Sequence, residues 1–191
     1  TIVSAVKGVL PENNLLLNEW LHKKGLSATP YVAIMGPCHA EEVAAEKLSY
    51  LTFGGLDVDR RDTIASAFKT PYINTVQSTD VNGVQYAAVL KNVYALGTGI
   101  ANGLGYGDNF QSVLIANAAG EMERFLKTIA PDKSIQYAAS VYLGDLLVTC
   151  YSLFSRNRSF GNMIGKGYSV EAAKISMQMV AEGYPAAKAM F

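Results

Sequence analysis

The hydrophobic pattern divides the chain into two parts with different periods. TIVSAVKG (1–8) is a short, apolar, β-branched run stopped by Gly8, which predicts a strand. ENNLLLNEWLHKK (12–24) puts Leu16, Leu17 and Trp20 on one helical face, with Gly25 as the stop. YVAIMGP (31–37) predicts a second strand ended by Gly36-Pro37. HAEEVAAEKLSYLTF (39–53) reads as an alanine- and glutamate-rich helix ended by Gly54-Gly55. RRDTIASAFK (60–69) predicts another helix, and YINTVQSTDVNG (72–83) a strand closed by an Asn82-Gly83 turn signal. This alternation has βαβ grammar and predicts a piece of parallel sheet. From Val84 onward the period is helical: 84–102, 109–129, 136–153, 156–166, 169–181 and 185–191 predict helices joined by short glycine-bearing turns.

The expected class is therefore α+β, with a sheet-bearing part over 1–78 and an all-α part over 79–191. The roughly three βαβ crossovers that a stable sheet of this kind needs ahead of TIVSAVKG are not in the sequence. The last helical pattern, AAKAMF, has neither a cap nor a polar tail. Both features suggest a fragment truncated at each end.

Composition narrows the function classes. The 191 residues are enough to bury roughly 70% of the unfolded surface without staples. Sixteen basic and sixteen acidic residues cancel, which argues against a broad nucleic-acid footprint but leaves room for a local anion site. No apolar run reaches the roughly 18–20 residues of a membrane span, and TIVSAVKGVLPENN lacks the build of a signal peptide. Cys38 and Cys150 lie far apart and read as buried, reduced thiols of a cytoplasmic protein. His22 and His39, with no acidic cluster near either, predict no metal site, and His39 reads as a surface or cap residue.

The candidate chemistry lies where polar residues interrupt apolar helices. Gly97, Gly99 and Gly103 are spaced G-x-G-x-x-x-G after a helix, where a dinucleotide fingerprint needs G-x-G-x-x-G after a strand; they predict a close-packed helix–helix turn. MGPCHAEEVA (35–44) is a strand-to-helix turn, either ordinary or able to hold a polar ligand on free N–H groups. Lys91 has Ala87, Ala88, Tyr94 and Ala95 as its helical neighbours, with no carboxylate among them. It either snorkels to solvent or lines a cleft, where desolvation lowers its pKa toward that of a general base. Asp145 stands equally isolated in YLGDLLVTC, and a buried carboxylate needs a cation or donors. Pairing Lys91 with Asp145 across two helices resolves both, with Thr149 one turn beyond Asp145. Ser155, Arg156 and Asn157 at a helix start make a plausible phosphate grip: a guanidinium, an amide and free N–H groups.

These stretches resemble the bacterial-type NAD(P)-dependent glycerol-3-phosphate dehydrogenases. The resemblance is carried by VKG (6–8), GPCHAEEVA (36–44), LKNVYALGTGIANGLGYGDN (90–109), GDLLVTCYSLFSRNRSFG (144–161) and VAEGY (180–184), in the family's order. It implies part of a Rossmann-type domain followed by a helical domain of the 6-phosphogluconate-dehydrogenase C-terminal kind, with the active site between them. The implied activity is interconversion of sn-glycerol 3-phosphate and dihydroxyacetone phosphate with NAD or NADP, supplying glycerophospholipid synthesis, in a cytoplasmic homodimer. By motif match Lys91 is the proton-transferring residue, with Asn92, Asp145 and Thr149 completing the catalytic surroundings. Lys7, Gly36, Cys38, Ser155, Arg156 and Asn157 fall at the substrate. Lys7, Ala40, Arg156, Val180 and Glu182 fall at the cofactor. Many members have Ser-Phe where this chain has Cys38-His39, which leaves a backbone contact at 38 but not a hydroxyl. The glycine-rich pyrophosphate loop is absent from the sequence, so these residues alone are expected to bind cofactor poorly or to be inactive. The competing expectations are a non-catalytic helical binding or oligomerisation module, and a related dehydrogenase of another hydroxy acid.

Overall fold

A computed structural model of the chain describes residues 1–129, 135–177 and 179–190. Four strands, β1 (Ile2–Ser4), β2 (Tyr31–Met35), β3 (Ser49–Gly54) and β4 (Ile73–Ser78), form one sheet in the order β1-β2-β3-β4. Helices α1 (Leu17–Lys23), α2 (Ala40–Ala44) and α3 (Val58–Phe68) lie between them. The rest is helical: α4 (Val81–Gly103), α5 (Asp108–Ile129), a π-helical turn (Ser140–Gly144), α6 (Asp145–Tyr151), α7 (Arg156–Gly165), α8 (Val170–Ser176) and α9 (Gly183–Met190). The α+β class and the helical second half agree with the sequence pattern. No helix among the described residues is long and apolar enough to cross a membrane.

The sheet departs from the expected parallel arrangement at one pairing. β1 and β2 run parallel, as do β3 and β4, but β2 meets β3 antiparallel, with Ile34 opposite Phe53. The cause is the segment read as one helix over 39–53. Helix α2 lasts only to Ala44, because Glu46 takes a left-handed φ of 55° and the Lys47 N–H closes back on the Glu42 carbonyl at 2.9 Å. The aromatic and β-branched residues that follow, SYLTFG, are pulled into the gap between β2 and β4, where Leu51 and Phe53 are buried. Tertiary pairing overrides the local helical pattern there.

Strand β2 is covered on both faces, which explains its unbroken apolar run. Val32 and Ile34 pack with Leu51, Phe53 and Ala65 of α3, while Ala33 and Met35 join the main core with α4, α5 and α6. Helix α4 is the axis of the molecule and packs against α5, α6, α7 and α9 as well as the sheet. It begins three residues earlier than its apolar period, because Asp80 caps it through the Gly83 N–H. Asn82-Gly83 therefore lies in the first helical turn and does not close a strand. Gly99 and Gly103 are inside α4 rather than in a turn, and their role is close approach. A Cβ at Gly99 would overlap the Arg158 carbonyl, and one at Gly161 of α7 would overlap the Leu96 carbonyl; Gly103 and Gly165 repeat the contact a turn on. Gly97 faces open space.

Three further segments differ from the pattern. The helix expected over 12–24 starts at Leu17, after Asn14 adopts a φ of 55°. The one expected over 136–153 is interrupted: Ala139 is extended, and the π turn intervenes before α6. The one expected over 169–181 stops at Ser176, since Met177 is extended (ψ 110°) and turns the chain toward α9. Phe191 of the last expected helix lies outside the described residues.

Candidate active site

The C-terminal ends of β1 and β2 open toward α4 and α6, and the polar residues singled out above gather there. Lys91 is 4% exposed and Asp145 is fully buried. Lys91 Nζ donates to Asp145 Oδ1 at 2.5 Å, an ion pair across α4 and α6. Lys91 therefore does not snorkel. Burial pushes its pKa down from 10.5 to about 8; Asp145 pulls the other way, and the nearby Lys7 ammonium adds to the lowering. Asp145 stands at the first position of α6, directly after the π turn. Its second oxygen, Oδ2, is buried without a hydrogen-bond partner among the described residues, so the site has an acceptor to spare. Thr149 donates its hydroxyl to the Asp145 carbonyl at 2.6 Å, one turn along α6, and so touches the pair through backbone.

Lys7 follows β1 and donates to the Gly36 carbonyl at 3.5 Å. An ammonium has three donors, so others remain for a ligand. Gly36 must be glycine: its φ is +124°, and a Cβ would lie 2.8 Å from the Tyr50 carbonyl. Cys38 is half-buried, not sealed in a core, with burial raising its thiol pKa against the pull of Lys7. Cys150 is buried, its thiol pushed up to about 11 chiefly by that burial.

Asn92 and Asn157 build the other wall as a relay. Asn92 donates to the Lys7 carbonyl at 3.2 Å, Asn157 donates to Asn92 Oδ1 at 2.9 Å, and the Gly183 N–H donates to Asn157 Oδ1 at 2.7 Å. Four chain segments are thereby fixed to one another through two buried amides. Glu182, next to Gly183, brings its carboxylate to 3.4 Å from where a Cβ of Gly8 would lie. Ser155 caps α7 by accepting from the Arg158 N–H at 3.3 Å. Arg156, in the first turn of α7, is exposed and makes no hydrogen bond or ion pair among the described residues. Ala40 is exposed at the start of α2, and Val180 is 63% exposed ahead of α9.

The sequence pattern reads His39 as a surface or cap residue and passes over Ser152. His39 is no surface cap: it is half-buried, its Nδ1 lies 3.4 Å from Ser152 Oγ, and its side chain makes no capping bond to α2. Burial first, and then the Lys91 charge, lower its pKa, so it is uncharged at neutral pH. A lone histidine beside Cys38 carried no periodic signal. A cavity of about 840 Å3 lies elsewhere, lined by residues such as Asn18, His22, Tyr31 and Asp80 at the opposite end of the sheet.

This arrangement now meets an independent comparison. The family model described as the NAD-dependent glycerol-3-phosphate dehydrogenase C-terminus matches residues 80–191, well over half the chain, and its N-terminus counterpart matches 1–59.

The chain belongs to this family.

A glycerol-3-phosphate dehydrogenase (NAD(P)+) from Desulfotalea psychrophila is 36% identical over 197 residues, covering 100% of this chain and 57% of the relative. One from Salinibacter ruber is 37% identical over 185 residues, covering 96% and 54%. The crystal structure of the Coxiella burnetii glycerol-3-phosphate dehydrogenase superposes with a TM-score of 0.91 at 27% identity, over 99% of this chain and 57% of that one. The chain thus spans somewhat more than half the length of the relatives it matches.

The residues present fit one end of a nicotinamide cofactor. Gly8 carries no side chain, follows Lys7 in the chain, and has Glu182 Oε2 at 3.4 Å from where its Cβ would lie, so a carboxylate acceptor stands against bare backbone there. The sequence contains no G-x-G-x-x-G loop of the kind that takes a pyrophosphate.

Proposed function

We propose that these residues supply the lysine-bearing side of an active site that interconverts sn-glycerol 3-phosphate and dihydroxyacetone phosphate with NAD or NADP. The observation that carries this reading is the buried Lys91–Asp145 pair with Lys7 beside it. In this reading Lys91 moves the proton. As an ammonium it polarises the ketone oxygen and protonates it during reduction; as a free amine it takes the hydroxyl proton during oxidation. A pKa of about 8 lets one residue do both, reduction being favoured below that pH and oxidation above it. Asp145 holds the ammonium in place, and Thr149 and Asn92 fix the elements that carry the pair. Lys7, the Gly36 turn and the Cys38 backbone face the substrate. Ser155, Arg156 and Asn157 take its phosphate at the start of α7, where backbone N–H groups and the helix dipole add to the guanidinium. Lys7, Ala40, Arg156, Val180 and Glu182 lie on the cofactor side, and a bound nicotinamide supplies or accepts the hydride. A domain boundary near residue 79, a cytoplasmic homodimer and a role in glycerophospholipid synthesis belong to the same reading.

The test is turnover of dihydroxyacetone phosphate with reduced cofactor, in the protein carrying its native flanking sequence. Lys91→Ala is expected to abolish it with the fold intact, and normal turnover in that variant refutes the proposal. No turnover in the wild type favours a non-catalytic helical module. Equal activity on unphosphorylated dihydroxyacetone favours a dehydrogenase of another substrate.

A further inference from the structure

The segment before Asp145 is what places it against Lys91. Asp145 follows a π turn, and a π turn holds about one residue more than an α turn. The extra residue rotates whatever follows by roughly 100° about the helix axis. In a regular helix running through residues 140–151, Asp145 would face away from its present direction, and the pair with Lys91 would be lost. At the turn's start the wide Gly144 N–H to Ala139 carbonyl bond is 3.5 Å long, against 3.1 Å for the Tyr142 N–H to the same carbonyl.

An external tie holds it. Tyr142, in the middle of the turn, is 5% exposed and donates its hydroxyl to Asp80 Oδ2 at 2.6 Å. Asp80 is itself fixed: Oδ1 accepts from the Gly83 N–H at 2.8 Å, and the Asp80 N–H donates to Ser78 Oγ at 3.1 Å. The carboxylate lies over this first turn of α4 in space that a Cβ at residue 83 would occupy, and glycine there leaves it in place. The Tyr142 ring rests on Tyr137, centroids 5.9 Å apart, inside the core that also holds Leu126 and Leu146. Asp80 thus joins the end of β4 through its backbone N–H, and the start of α4 and the π turn through its carboxylate. Lys91 lies about three turns further along the same α4.

We infer that Tyr142 is a positioning residue for this site: its bond to Asp80 holds the π turn and so sets Asp145 against Lys91. The kinetic side of the inference rests on the proposed dehydrogenase reading; the geometric side does not. Burial, and then the Asp80 carboxylate, raise the Tyr142 phenol well above its ordinary range, so it remains a donor at any pH the enzyme meets. The charged and titratable groups acting on or sensing Lys91 are Asp145 and Cys150 on α6, Lys7 after β1 and His39 before α2. Loosening the turn removes the only anion among them.

The experiment titrates Lys91 by NMR of carbon-labelled lysine, its signal assigned by loss in Lys91→Met, in the protein with its native flanking sequence. Tyr142→Phe removes the donor. Asp80→Ser keeps a cap for α4 but has no second oxygen for Tyr142. Tyr86→Phe is the control: it removes a hydroxyl bonded to Glu19 at 3.3 Å, elsewhere on α4. Tyr142→Phe and Asp80→Ser are each expected to raise the Lys91 acid dissociation constant about tenfold. They also move the alkaline fall of kcat for ketone reduction to lower pH, with little change in KM, and Tyr86→Phe does neither. A wild-type Lys91 titration in both folded variants, an equal shift in the control, or loss of folding in both overturns the inference. Absence of turnover in the wild type refutes the dehydrogenase reading instead, and the titration still decides this one.

Discussion

Replacing Asp145 with asparagine removes the counter-charge of Lys91 while keeping the size of the side chain. Lys91 is 4% exposed and its partner fully buried, so solvent cannot take over the lost interaction. Breaking one side of a buried pair costs about 3–5 kcal/mol when the remaining charge stays. Lysine has a cheaper way out, because it can release its proton. Even the lower figure, about 3 kcal/mol, corresponds to a more than hundredfold rise in its acid dissociation constant. With the wild-type pKa at about 8, the lysine is mostly ammonium at pH 7; after a hundredfold change it is mostly amine. Protonation alone should then slow ketone reduction about tenfold at pH 7, and the alkaline fall of the pH–rate profile should move down by about two pH units. Lost orientation of the lysine adds to this. The assay follows reduced nicotinamide with dihydroxyacetone phosphate held well below KM, so that kcat/KM reports the titration of the free site, across a pH series, in wild type and Asp145→Asn. A variant that is slower but breaks at the wild-type pH would refute the electrostatic reasoning.

Four other outcomes follow from the same geometry. Gly99→Ala and Gly161→Ala each force a Cβ into a facing carbonyl and should lower thermal stability by at least about 2 kcal/mol, whereas Gly97→Ala, in open space, should be neutral or stabilising by up to about 1 kcal/mol; thermal melts read both. Arg156→Lys keeps the charge but loses the bidentate fork, so KM for dihydroxyacetone phosphate should rise about tenfold with kcat less affected, as steady-state kinetics would show. The fall of the Lys91 pKa from 10.5 to about 8 means the unfolded chain holds more protons over that interval, so the lysine opposes folding by about 3 kcal/mol at neutral pH. That penalty fades as pH rises through the interval. Lys91→Met combined with Asp145→Leu should therefore be inactive yet melt higher than wild type at pH 7. Finally, a bound phosphate dianion should raise the Lys91 pKa, placing the alkaline fall of kcat above that of kcat/KM in the reduction direction.

What could be read from the sequence was what a single residue reveals by being out of place. Lys91 and Asp145 each interrupt an apolar helix, and pairing them across α4 and α6 needed only the rule that buried charges come in twos. The small-residue spacing of Gly99 and Gly103 likewise pointed to close packing. Strand β3 was hidden because AEEVAAEKLSYLTF has a continuous helical pattern, and only its neighbours β2 and β4 make SYLTFG a strand. The π turn was hidden for a related reason: residues 136–153 keep helical periodicity, and the interruption depends on Asp80, some sixty residues earlier in the chain. His39 looked like a cap because its partners Ser152 and Lys91 come from other elements.

The charge balance of the site follows from which groups are allowed to be charged. Among the groups that act on Lys91, the Lys7 ammonium and Lys91 itself face one carboxylate, Asp145; Glu182 at Gly8 and Glu42 near His39 lie outside this set. His39 sits among them, and burial together with Lys91 keeps it neutral. The cluster therefore carries an excess of one positive charge, and Arg156, exposed at the start of α7, can add a second. A phosphate monoester carries close to two negative charges at neutral pH. Burial is what chiefly depresses Lys91, and a phosphate dianion beside it adds a charge that favours the ammonium, so binding should restore the ammonium just when a ketone oxygen needs a proton. A neutral hydroxy ketone would leave the lysine pKa low and the positive excess unbalanced. Selection for a phosphorylated substrate would then act on the chemical step as well as on affinity, because the charge of the bound phosphate also shifts the protonation of Lys91.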